Sequence, residues 1–277
     1  MAVPLLSVER VSAHPDGTRV VVVDFQPLAA PTSLASALAA AGDNRLDIRR
    51  IDVVRDLAAA GAYLSVPDLA YSYAPMLGRV DGIVGYCSAS VLAAEMATAF
   101  AERDGARPPV LFVNPTRPTV RQAVDDFGTF LARLGAAAPA PGLAWGGGGQ
   151  PAYALMTSAL RAALAGLAAA DGMDAEEVAI LEAELLSRFG GWLGFLLAAA
   201  DVPGLNGTRV PGADRTVSTA RSDRSALPGD AVLPLPGGAA PSAPGPDTRT
   251  VPLDDATVRQ TIAAIHDIIS ERKGGQP

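Results

Sequence analysis

The 277-residue chain contains one cysteine (Cys87), two histidines (His14 and His266) and one lysine. Each scarcity excludes something. One cysteine cannot form an internal disulfide and suits a reducing compartment. One cysteine with two histidines cannot build a typical zinc site. The net charge is −7 and basic runs are lacking, which argues against nucleic acid or an anionic membrane as partner. The N-terminal MAVPLLSVERV lacks the basic start and longer apolar stretch of a signal peptide. Apolar stretches such as 194–200 fall far short of the roughly 20 residues of a membrane span. A cytoplasmic protein is therefore expected.

Hydrophobic residues make up 49 % of the chain, enough for one sizeable core or one domain with an inserted subdomain. The first half alternates strand-like and helix-like segments, the pattern of a parallel sheet covered by helices. Residues 5–11 and 19–25 read as strands joined by a His14-Pro15-Asp16-Gly17 turn. The run VVVVDF, residues 20–25, has the continuous β-branched character of a strand buried on both faces. Further strands are expected at 46–54, 81–86, 109–114, 215–220 and 248–251. Helices are expected at 31–41, 68–77, 88–103, 120–134, 152–170, 174–200 and 254–271. The helix from Asp174 opens with an acidic first turn and carries Leu181, Leu185, Phe189, Trp192 and Phe195 at helical spacing. Pro and Gly punctuate 136–150, which marks a boundary, and the Pro/Gly/Ala-rich tract 226–247 reads as a surface loop.

The most informative segment is Gly85-Tyr86-Cys87-Ser88-Ala89, a G-x-C-x-A sequence with a strand before it and a helix after it. That context is what a nucleophile elbow needs: a sharp turn that lifts the central side chain above the sheet. Small residues two before and two after it are required because strand and helix backbones pass close together. Gly85 and Ala89 meet that need. A helix N-terminus also favours a thiolate. The alternative is a buried cysteine in a tight strand-helix turn.

Residues 79–114 resemble the corresponding stretch of type II and chain-terminating thioesterases of polyketide and nonribosomal-peptide assembly lines. Those proteins read G-H-S-x-G-G, then a helix with A-x-E-x-A, then a turn and a hydrophobic strand. Here Ala94-Glu95-Met96-Ala97 corresponds loosely to the second element. The resemblance implies an α/β-hydrolase fold: a mostly parallel sheet with helices on both faces and a helical lid insertion. It divides the chain into a core of 1–145 and 208–277 and a lid of 146–207.

The same resemblance assigns roles. Cys87 stands at the nucleophile. Asn114, after the strand following the elbow, or Asp223, after a later strand, stands where the family places the acid that orients the base. The backbone N–H groups of Ser88 and Leu28 would form the oxyanion hole; Pro27 has none to offer. Where the family carries V-P-G-D-H before its last helix, this chain reads Val251-Pro252-Leu253-Asp254-Asp255, so Asp255 occupies the base position. A carboxylate is the weaker base unless burial raises its pKa, and Asp254 or Asp255 could instead cap the helix. His266, three turns into the last helix, and His14, in a turn, are expected to be surface or satisfied core residues.

Two functions follow from the resemblance. The first is a thioesterase or acyltransferase of natural-product (antibiotic) biosynthesis that forms an acyl-enzyme on Cys87. Its substrate would be a small-molecule thioester, or an acyl or peptidyl carrier protein presenting its chain on a phosphopantetheine arm, with no cofactor of the enzyme's own. Hydrolysis, acyl transfer and cyclisation all remain open. The second is a catalytically degenerate pseudo-thioesterase that binds an acyl chain or carrier protein without turnover.

Overall fold

The computed structural model describes residues 6–25, 33–136, 148–202, 214–217 and 253–274. The centre is a six-stranded sheet in the order β1-β3-β2-β4-β5-β6. Its strands are β1 (Glu9–Arg10), β2 (Thr18–Asp24), β3 (Leu46–Asp52), β4 (Gly82–Tyr86), β5 (Val110–Val113) and β6 (Arg215–Val217). All neighbours run parallel except β1, which pairs antiparallel with β3. The fold is thus α/β, as expected.

Alternation along β2 shows why this sheet is buried on both sides. Val21 and Val23 enter one apolar cluster, while Val20 and Val22 enter the other. Full burial of a valine is worth about 1.5–3 kcal/mol, so four in one strand anchor both layers. The smaller layer is formed by α1 (Leu34–Ala40) and α9 (Asp255–Gly274). The larger layer holds α2 (Val53–Ala60), α3 (Val66–Leu77), α4 (Ser90–Asp104), α5 (Val120–Arg133), α6 (Gly149–Asp171) and α8 (Gly191–Ala200). Between α6 and α8 runs α7 (Ala175–Leu185), with only Leu185 buried.

Four expectations change. The first two strands do not form a hairpin: β1 is two residues long and pairs with β3, while β2 takes the place between β3 and β4. Helix α2 starts where a strand was expected to finish, because Asp52 ends β3 and also caps α2 through its side chain, which accepts the Arg55 N–H. The expected helix over 174–200 is interrupted by a π-type turn at Leu186–Gly190. Finally, α6 is 23 residues long and apolar enough to cross a membrane by length and composition. It packs Ala152, Met156, Leu160 and Leu164 into the larger layer, and Arg161 pairs with Glu182 of α7 at 2.9 Å. The expected last strand, 248–251, lies outside the described residues.

The path of the chain sets a switch point. From β2 the chain moves to β3 on one side, then crosses to β4 on the other. That reversal is a topological switch point, and the region beyond the C-terminal ends of such strands is the usual ligand position in open α/β sheets.

Candidate active site

Cys87 stands at the C-terminal end of β4, beside that switch point, in a single 3-10 turn (Cys87–Ala89) between β4 and α4. Its φ is +53°, a left-handed conformation costly for any residue with a Cβ. The surroundings impose it. A Cβ on Gly85 would lie 2.6 Å from the Ser90 Cα and 2.8 Å from the Ala93 Cβ, so strand and helix meet with no room for a methyl group. The Ser90 hydroxyl donates to the Gly85 carbonyl at 3.1 Å and closes the turn. Ala89 is fully buried. These are the contacts expected of a nucleophile elbow. Gly85→Ala should therefore destabilise the protein by about 3 kcal/mol, the upper part of the overpacking range, read as a lowered denaturant midpoint. An unchanged midpoint would mean that the turn is looser than this geometry.

The Cys87 thiol is partly buried, and its Sγ lies 3.0 Å from the Thr116 Oγ1, with either atom able to donate. Burial pushes the thiol above its ordinary pKa, opposed by the Thr116 hydroxyl and the Ser88 N–H, both of which favour the thiolate. Thr116 follows β5 in the segment Asn114-Pro115-Thr116. No periodicity or motif singled it out; its only sequence signal is a hydroxyl residue in the loop after the strand next to the elbow.

Phe25, directly after β2, lies near two aromatic rings. Its centroid is 6.4 Å from Tyr86 and 5.0 Å from Trp192 of α8. Burial, and then the negative charges at Cys87 and Asp24, hold the Tyr86 phenol well above its usual range. Asp24, at the end of β2, is fully buried and bonded to the Arg50 Nε at 2.7 Å and to the Ala35 N–H at 2.9 Å. Arg50 also pairs with Asp52 at 2.8 Å and Glu9 at 3.3 Å.

The other expected site residues are placed as follows. Asn114 comes directly after β5 with φ +47°, and its N–H donates to the Val217 carbonyl at 2.8 Å. Asp254 caps α9: its carboxylate accepts the Thr257 N–H at 2.7 Å and the Thr257 hydroxyl at 2.6 Å. Asp255 is exposed in the first turn of α9. Ile269 packs near Gly82 at the start of β4, so α9 runs against the strands and brings its N-terminus to the edge where Cys87 lies. Leu28 and Asp223 lie outside the described residues.

Both histidines belong to the opposite edge. The His266 Nε2 is 2.6 Å from the Asp43 Oδ2, just ahead of β3, and His14 sits in the turn leading into β2. A seven-residue strand is about 23 Å long at 3.3 Å per residue, which sets the separation of the two edges. At that same far edge a polar cavity of about 310 Å³ is lined by Asp16, Gly17, Thr18, Arg19, Arg79 and Asp81. No group of three or more metal-ligating side chains occurs among the described residues.

No family model matches the chain, and no curated protein matches it. Solved structures do show a likeness. A putative α/β-hydrolase family protein from Desulfitobacterium hafniense is 15 % identical, with 70 % of this chain and 71 % of that one covered and a TM-score of 0.38. The type II thioesterase BorB from the borrelidin biosynthetic cluster is 18 % identical, with 76 % of each chain covered and a TM-score of 0.39. The four-domain nonribosomal peptide synthetase AB3403 is 14 % identical at TM-score 0.39, with 71 % of this chain but 15 % of that chain covered. At these scores the likeness carries no argument about the site, for which the elbow and the strand order are the relevant observations.

Proposed function

We propose that the chain is a thioesterase-like enzyme of the α/β-hydrolase type that takes an acyl or peptidyl group from a thioester onto Cys87. The observation that carries this reading is the left-handed Cys87 at the switch point of the sheet, held there by the Gly85 contact and hydrogen-bonded to Thr116. An ordinary buried cysteine has no need of a strained backbone. The Cys87 sulfur attacks the thioester carbonyl, a new carbon–sulfur bond forms, and the departing thiol leaves with the proton that Cys87 gives up. The Ser88 N–H and a second N–H from the segment after β2, at Leu28, hold the oxyanion. Asn114 or Asp223 takes the orienting position and Asp255 the position of the base. The donor in this reading is a phosphopantetheine arm on an acyl or peptidyl carrier protein, or a small thioester resembling its end, and the enzyme needs no cofactor of its own. The core spans 1–145 and 208–277, and 146–207 forms the lid.

A second reading, a pseudo-thioesterase that binds without turnover, is favoured by two observations: burial raises the thiol pKa, and both histidines lie at the far edge. Incubation with a short acyl-N-acetylcysteamine thioester, followed by intact-mass measurement, separates the two. The enzyme reading expects a mass increase of one acyl group, mapped to Cys87 by peptide analysis. Saturable binding of the thioester without any adduct would leave the second reading.

A further inference from the structure

We infer that the acceptor which discharges the Cys87 acyl-enzyme is a second thiol, not water, and that the Thr116 hydroxyl carries the proton between the two sulfurs. The inference rests on the acyl-enzyme reading above and asks what the geometry allows after the first step.

Proton balance is the starting point. When Cys87 takes an acyl group from a thioester, its Sγ–carbonyl bond forms and the bond to the donor sulfur breaks. One proton leaves Cys87 and one arrives on the donor sulfur, so no net base is consumed. A hydroxyl that accepts from one sulfur while donating to the other completes this exchange without becoming charged. Thr116 Oγ1, 3.0 Å from Cys87 Sγ and able to act as donor or acceptor, is placed for that task. Discharge by a thiol is the same step in reverse: the acceptor sulfur bonds to the carbonyl, the Cys87 bond breaks, and the proton returns through Thr116.

Hydrolysis differs. Water must lose a proton as it attacks, and a threonine hydroxyl has no basicity to take it; imidazole is the usual group for the purpose. The chain's two histidines lie elsewhere, His266 beside Asp43 and His14 in the turn before β2, and Asp255, the carboxylate proposed at the base position, is exposed at the start of α9 and is a weaker base than imidazole. Thiols also attack thioesters far more readily than water, because part of a thiol is ionised near neutral pH. The chemistry therefore fits a shuttle that moves an acyl group from one thiol carrier to another.

The experiment uses the full chain loaded from acyl-N-acetylcysteamine, freed of excess donor and followed by intact mass at neutral pH. The acyl-enzyme should persist in buffer and be discharged at least about 100-fold faster when millimolar pantetheine is added, with acyl-pantetheine as product. Discharge in buffer as fast as with pantetheine overturns the inference while leaving the acyl-enzyme reading intact. Failure to load at all overturns that reading instead. For the relay, Thr116→Val should slow discharge by pantetheine about 100-fold, in the range for a lost proton-transfer group, and Thr116→Ser should restore it. A second readout does not depend on turnover: in Thr116→Val the pH profile of Cys87 alkylation by iodoacetamide should move to higher pH, because a hydrogen bond favouring the thiolate is gone. A valine variant that discharges at the original rate removes Thr116 from the reaction, and one that slows discharge without moving the profile reduces it to packing.

Discussion

Cys87→Ala should abolish adduct formation and turnover while costing the fold only about 1 kcal/mol, since one small, partly buried sulfur is removed. Cys87→Ser should be nearly as inactive. A serine hydroxyl is scarcely ionised at neutral pH and needs an imidazole close by. The two imidazoles of this chain sit beside Asp43 and ahead of β2, a strand length away. Intact mass after thioester exposure and steady-state release of free thiol read both variants. Full activity in the serine variant would mean that a competent base stands near residue 87. Full activity in the alanine variant would remove covalent catalysis and leave the binding reading.

The second large effect is on stability. Arg50→Met should lower stability by about 3–5 kcal/mol, because Asp24 is fully buried and would lose its only charge partner among the described residues. Removing Asp24 as well should recover part of that loss, since the apolar site then faces Asp52 but no longer the fully buried carboxylate of Asp24. Denaturant unfolding of Arg50→Met, Asp24→Asn and the double variant gives the coupling directly. Simple additivity of the two single effects would contradict a coupled buried pair.

The residues explain how much of this could be read in advance. VVVVDF announced the central strand because a strand covered on both faces needs apolar residues at every position, and Val20–Val23 supply them. The elbow was legible because its steric demands fall on fixed neighbours: Gly85 and Ala89 had to be small, and both are. Helix α2 escaped because strand and helix share Asp52 with no Gly or Pro between them, so no boundary residue marks the change of period. The interruption of the long helix was signalled only by Gly190-Gly191. A Cβ on Gly191 would press against the Val54 carbonyl and the Ala58 nitrogen, so its role is close approach to α2, which exists only in three dimensions. Thr116 escaped for the same reason: its importance comes from a 3.0 Å distance across 29 residues of chain. Asp254 and Asp255 present the opposite case. Adjacent carboxylates cannot be told apart by composition, and the side-chain bonds to Thr257 identify Asp254 as the cap.

The left-handed backbone at residue 87 has an evolutionary corollary. Glycine adopts that conformation without the steric penalty of a Cβ, on the order of 1 kcal/mol for other residues. Mutational drift in a lineage freed from any need for chemistry at this point would find glycine here favourable to folding. The thiol thus occupies a position where selection for stability alone pulls the other way, and its presence there is a trade between robustness and reactivity.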